Sequence, residues 1–334
     1  MNANMFAGIV WATAVCGTLA AGAQPPARVK VDVGKDQVVV TIDDRPFTTY
    51  RFAPTADDPM WHRPYFWPVA AADGAHVTSD QWRLSQKTKT DHPWHRSIWI
   101  GHGDVGGVDH WLFKDKKQKH VRFAQAQDDG FVEELEWEGA QADRPVLRET
   151  RTIRFIAYDD GARAIDVASI FVAPESIKLR VKPLNVSGVE AGFCCVRVAE
   201  AMSGDAQRQI VSSAGASGEK DCRSKPAGWC DYSGRIDGKR YGVAMFDHPD
   251  NPGHPSPWHV RSFGLLAHIG IHDWTMEKDR PVGFRHRIVV HAGSAVEARI
   301  AEKYGQFILR TPSPTTAPAS GAAGMPPSST ATRS

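Results

Sequence analysis

Alternation of apolar and polar residues with a period of two, cut at intervals by Asp-Gly pairs, is what most restricts how this chain can fold. Val29, Val31 and Val33 alternate with Lys30 and Asp32, and Val38 to Ile42 is β-branched throughout. From Thr150 to Tyr158, Thr152, Arg154 and Ile156 alternate with Ile153, Phe155 and Ala157. Successive side chains on a strand point to opposite faces, so this pattern suits strands with one buried face. Asp-Gly occurs at Asp73, Asp129, Asp160 and Asp237, each near a strand-like run. Both residues tolerate the positive φ of a two-residue hairpin turn. Ile236 to Met245, across Asp237-Gly238, is the clearest candidate. One helix is expected near the end: Ser294 and Glu297 have capping-box spacing, and Val296, Ile300 and Tyr304 then share a face. The pattern predicts an all-β chain, a large antiparallel β-sandwich with one C-terminal helix.

The two ends stand outside that fold. Met1 to Ala23 carries no charged side chain, runs apolar from Met5 to Ala14, and closes on Ala21-Gly22-Ala23. Residues 1–23 are therefore expected to be a signal peptide cleaved before Gln24. That places the mature protein in the periplasm or outside the cell. No other stretch is apolar for long enough to span a membrane, so none is expected in the mature protein. Residues 311–334 are almost entirely Pro, Ser, Thr, Ala and Gly, a composition that cannot offset the entropy of ordering. With no Pro- or Ser-rich linker between the ends, 24–310 reads as a single sandwich domain.

The 40 basic and 38 acidic residues nearly cancel, which argues against nucleic acid as a partner, since that needs a basic face. Cys194 and Cys195 are adjacent and on a strand would point to opposite faces. Cys222 and Cys230 lie eight apart, and in an oxidising compartment they form either a disulfide or two free thiols.

Histidine supplies the functional signal. Four of the 14 histidines lie in 92–110 and five in 248–272. The first block reads Asp91-His92-Pro93-Trp94-His95-Arg96-Ser97 and continues to His102 and Asp104. The second reads Asp247-His248-Pro249, then Trp258-His259-Val260-Arg261, then His268. Imidazoles titrate near neutrality and suit proton transfer, so His95 and His259 are the candidate catalytic groups, with Tyr65 as a third contributor. Arg96 and Arg261 would hold an acidic group of a substrate, and Trp94 and Trp258 would pack on it. The alternative is a metal centre of His92, His95, His102 and Asp104. No cofactor motif is present: there is no phosphate loop, no His-Glu-x-x-His and no Gly-x-Ser-x-Gly. A divalent metal is permitted by the donors but demanded by no spacing.

The run Lys89-Thr90-Asp91-His92-Pro93-Trp94-His95-Arg96-Ser97-Ile98-Trp99, followed by Gly101-His102-Gly103-Asp104-Val105-Gly106-Gly107-Val108-Asp109, resembles the hallmark of a bacterial family of unknown function called PmoA-like. Phe246-Asp247-His248-Pro249 and Trp258-His259-Val260-Arg261 resemble its second block, and Pro64-Tyr65-Phe66-Trp67-Pro68-Val69 its opening. The name refers to a methane monooxygenase subunit with several membrane spans. This chain has none, so we read the name as a misnomer. The family has no established catalytic residues, and the resemblance assigns none. One departure is Ala267-His268-Ile269-Gly270, where the family pattern implies an Asn. What the resemblance implies is a secreted protein of polysaccharide-degrading bacteria, hence a saccharide ligand.

The expected function is thus a secreted enzyme acting on a saccharide, a His-based lyase, dehydratase or hydrolase with Arg holding an acidic group. Its rivals are a non-catalytic saccharide-binding sandwich using the Trp residues, and a metal-dependent oxygenase or hydrolase using the His cluster. Both His-rich blocks are expected to converge on one concave face, since two separate buried polar pits would double the cost of desolvation.

Overall fold

In the computed structural model, residues 28–90, 92–112, 116–141, 143–180, 192–268 and 274–310 are described. The expected signal segment and tail lie outside them, as does Asp91. Most of the described chain forms two antiparallel sheets of eight strands each. The first sheet runs in the order Val29–Val33, Gln37–Ile42, Arg45–Arg51, Tyr65–Val69, Ile98–Ile100, Cys194–Arg197, Leu265–His268, Trp258–Arg261. The second runs Gln209–Ser212, Trp229–Ile236, Lys239–Asp247, Val282–Ala292, Arg163–Val172, Pro145–Ala157, Gly130–Glu138, Gln118–Gln127. A small third sheet joins Trp274–Met276, Ile177–Arg180 and Asp104–Val105.

The alternation in the sequence becomes the two faces of each sheet. Val38, Val40 and Ile42 are buried while Val39 between them is exposed. The inward residues of both sheets merge into one apolar core, with Val38, Phe66, Ile98, Val196 and Leu266 from the first sheet. Phe131, Ile153, Val167, Val243 and Ile288 meet them from the second. Burying a side chain of this kind contributes about 1.5–3 kcal/mol. Cys194 and Cys195 do face opposite ways, Cys194 into this core and Cys195 into a cluster on the far side of its sheet.

The turns follow the chemistry of their residues. Strands Trp229–Ile236 and Lys239–Asp247 pair from Ile236↔Lys239 onward. Asp237 and Gly238 between them have φ of 49° and 80°, as a type I′ turn requires. The C-terminal capping box also forms: the Ser294 amide and hydroxyl donate to Glu297 Oε2 at 2.7 and 2.8 Å, and the Glu297 amide donates back to Ser294 Oγ at 3.3 Å. The helix itself is shorter than the spacing suggested, Ile300–Arg310. Arg299 has a positive φ of 51°, which breaks the turn after the cap and leaves Val296 exposed rather than on the buried face. Ile300 and Phe307 pack instead on Ala244, Phe246 and Val289, covering the outer face of the second sheet.

Cys222 and Cys230 are free, buried thiols rather than a disulfide.

Candidate functional site

Two neighbouring rows cross the first sheet side by side. Phe66, Ile98, Val196, Leu266 and Val260 are register partners in turn and face the core. The next row is Tyr65, Trp99, Cys195, Ala267 and His259, one residue along each strand and therefore on the opposite face. A further pleat adds Arg197, Leu265 and Arg261 to that outer face. Tyr65 and His259 thus stand at the two ends of one row, with small Cys195 and Ala267 between Trp99 and His259.

The segment from His92 to Arg96 folds back over this face and builds a column of rings. Phe263 stacks on His92 (centroids 4.8 Å, planes 18° apart), His92 on His95 (4.8 Å, 16°), and His95 on Trp99 (5.3 Å, 26°). Trp94 and Trp111 meet His95 edge-on. Ring pairs of this kind contribute about 0.5–1.5 kcal/mol each beyond their burial. Phe263 reaches the column because Gly264 turns the chain with φ of 105°, where an added Cβ would come within 3.1 Å of Ser203 and Val198. Arg63 holds the covering loops down from beneath. Its Nη1 donates to the His110 carbonyl, and its Nη2 to the Trp94 and Trp111 carbonyls at 2.9 and 2.7 Å. Burial without a carboxylate partner lowers its pKa to about 9.

His95 is buried, and its Nδ1 has no hydrogen-bond partner. Burial, then the nearby Arg197 cation, then His92 and His259, hold its pKa well below the ordinary imidazole value. The ring is therefore neutral at neutral pH and offers a lone pair. The same electrostatic neighbourhood joins the two histidine blocks, since His259 acts on His95.

Arg197 is the cation of this face. It is 3% exposed and lies 4.8 Å from the Phe263 ring centre. Its Nη2 reaches Glu200 at 3.3 Å, but Nε and Nη1 are buried without a hydrogen-bond partner. Arg197 and Phe263 form a wall of a cleft of about 720 Å³, with Thr88, Lys89, Thr90 and Glu200 among its other lining groups.

The structure redistributes several expected roles. Trp94, His95 and His259 belong to this face. Arg261 does too, but its Nε is paired with Glu219 Oε1 at 2.9 Å. Arg96 is a correction: it is fully buried, with Nε on Asp80 at 2.8 Å and Nη2 on Asp58 and the Tyr65 hydroxyl at 2.6 and 2.5 Å. Its charge already neutralises two buried carboxylates, so it cannot serve a substrate acid. Tyr65 donates to Asp58 Oδ2 at 2.6 Å in the same network. Burial, against the pull of Arg96, raises its pKa, so it is a poor proton donor or acceptor. Trp258 is a second correction. It points into the core, with Nε1 donating to the Ala227 carbonyl at 2.9 Å, because its neighbour His259 takes the outer face.

The four residues expected as metal ligands divide between two places. His92 and His95 are in the ring column, whereas His102 packs on Phe193 and Asp104 pairs with Arg180 at 2.8 Å. Among the described residues, the group close enough to share an ion is Asp247, His268 and His286.

Arg197 and Phe263 were missed in the sequence. The available signal was a lone charge in the apolar run Phe193 to Val198, in phase with Cys195.

A protein-family model described as a family of unknown function, DUF6807, matches residues 37–305. The PmoA-like name is not part of that description. No curated protein matches the chain significantly. Among solved structures, a GalM/aldose epimerase homologue from C. elegans aligns over 80% of this chain and 99% of its own, with 6% identity and a TM-score of 0.31.

Proposed function

This chain belongs to the DUF6807 family, whose function is not established, and we propose that it is an exported enzyme acting on an anionic saccharide at the face shared by His95 and Arg197. One observation carries the reading. Among the described residues, Arg197 lines a cleft beside the aromatic ring of Phe263 with two buried guanidinium nitrogens lacking hydrogen-bond partners, and its charge acts on the buried, unpartnered Nδ1 side of His95 behind that wall. Unsatisfied buried polar groups are costly and rare, and in a cleft they mark where a ligand's own groups complete the bonding.

The chemistry follows from the electrostatics. Arg197 pairs with a carboxylate or sulfate of the sugar through a charge-assisted hydrogen bond from Nη1. Phe263 supports the ring face, and Thr88, Thr90 and Glu200 answer hydroxyls. Burial first, and then the Arg197 cation, keeps His95 from taking a proton. A bound anion cancels part of that cation's influence and makes His95 a stronger base only when substrate is present. His95 then accepts a proton from the sugar, with His259 at the far side of the same face as the second group. This is the pattern of a lyase or dehydratase. The resemblance to secreted proteins of polysaccharide degraders and the expected signal at 1–23 support an exported location.

The test is a panel of neutral and acidic oligosaccharides offered to the purified protein, read by mass change and by tryptophan fluorescence. Acidic members should bind and turn over. Arg197→Ala should weaken them at least tenfold, the scale of a lost charge-assisted hydrogen bond of about 1.5–3 kcal/mol. Equal response to neutral and acidic sugars, unchanged in Arg197→Ala, would overturn the reading.

A further inference from the structure

Away from the ring column, the two sheets meet at a second cluster. Asp247 ends one strand of the second sheet, and His286 is its direct register partner on the next. His268 ends a strand of the first sheet and sits on its inner side, opposite Trp258. All three are 3% exposed or less. His268 Nε2 is 3.1 Å from Asp247 Oδ1, and His268 Nδ1 is 3.0 Å from His286 Nε2. One donor atom from each of the three lies within 4.8 Å of the other two.

We propose that Asp247, His268 and His286 bind a first-row divalent metal ion that ties the two sheets together. Three observations support the site. Two imidazoles and one carboxylate are the donor set that borderline ions such as Zn²⁺ and Fe²⁺ prefer. One donor atom from each residue lies within 4.8 Å of the other two, and the three would draw in to the roughly 3.3 Å that separates ligand atoms about 2.0–2.2 Å from one tetrahedral ion. Asp247 is also held as ligating carboxylates are. Its Oδ2 accepts from His254 Nδ1 at 2.9 Å and from the Ser256 amide at 3.1 Å, while its Oδ1 accepts from Asn251 Nδ2 at 2.7 Å. Finally, the ion pairs of this buried carboxylate among the described residues are all to histidine, so no Arg or Lys neutralises it. A divalent cation would supply that charge. The competing account is a metal-free hydrogen-bonded chain from Asp247 through His268 to His286.

The proposal is independent of the saccharide reading, and its test needs no substrate. Protein purified without a histidine tag and stripped with EDTA is titrated with ZnCl₂ by calorimetry, and its melting temperature is followed. Crystals soaked in CoCl₂ then locate the ion by anomalous scattering. One equivalent per chain, a melting temperature several degrees higher, and a cobalt peak between the three side chains are expected. Loss of that equivalent in a folded His286→Asn variant would support the same assignment. No saturable uptake by the wild-type protein, or a peak elsewhere, would overturn it and leave the metal-free hydrogen-bonded chain as the account. Because uptake and location are read on the wild type, a variant that fails to fold does not weaken the test.

Discussion

The imidazole of His95 lies nearly parallel to the indole of Trp99, with ring centres 5.3 Å apart and planes 26° from each other. Trp99 belongs to the sheet, paired on both sides, and His95 to the loop that covers it, so this contact fixes the candidate base to the hydrogen-bonded sheet. His95→Gln should leave the melting temperature within a few degrees and lower turnover of an acidic oligosaccharide by roughly 10²–10⁴, the span of a lost general base. Turnover within threefold of wild type would remove His95 from the chemistry.

The two arginines provide a sharp contrast. Arg96→Ala would leave buried Asp58 and Asp80 with only the longer ion pairs to Arg83, at 3.9 and 3.3 Å, and should cost up to about 3–5 kcal/mol. Arg197→Ala loses its bond to the half-exposed Glu200 and its contact with Phe263 but leaves no buried carboxylate without a cation, so it should cost less than Arg96→Ala. Urea titration of both variants checks the difference. An Arg96→Ala protein as stable as Arg197→Ala would contradict the clamp.

Acid should destabilise the fold through its buried histidines. Burial lowers the pKa from 6.5 to about 4 for His102 and to about 3 for His110. The unfolded chain therefore binds protons that the folded one refuses. Stability is full above about 6.5 and falls as pH drops from there toward the folded values. Unfolding free energies measured at pH 7.5, 6 and 5 should decline in that order. A flat profile would mean that these rings are charged in the folded protein.

Core and surface positions of one sheet should separate cleanly. Leu266→Ala cuts into the inward row and should cost about 2–5 kcal/mol. Val39→Ala, on an exposed position of the same sheet, should stay within about 0.5 kcal/mol.

Cys222 and Cys230 should behave as protected thiols. An alkylating reagent should label neither in the folded protein and both after denaturation without reductant. Mass spectrometry of the peptides decides it, and a linked pair would contradict the free thiols.

The strands, the hairpin at Asp237-Gly238 and the capping box at Ser294 were legible because each is local: period two, a φ preference, a three-residue spacing. The sandwich followed from their sum. The site was legible only in part, for a physical reason. Alternation says that Trp258 and His259 point opposite ways, but not which of them meets the core. Likewise, Arg96 stands beside His95 in the chain yet turns toward Asp58 and Asp80, contributed by distant segments. Arg197, a hundred residues from the His-rich block, arrives on its face through the register of Cys195 with Trp99. Pairings between remote strands decide such matters, and no short window contains them.

The outer row from Tyr65 to His259 shares its backbone with the inward row beside it. Amides on the row's inner strands, Ile98–Ile100, Cys194–Arg197 and Leu265–His268, can exchange with solvent only when the core itself opens, so that part of the floor should be among the slowest-exchanging parts of the protein. A ligand cannot reshape such a floor. Any adjustment to sugars of different size must come from the segments laid over it, around Thr88 to His95 and at Phe263, and specificity within the family should change there while the floor keeps its shape.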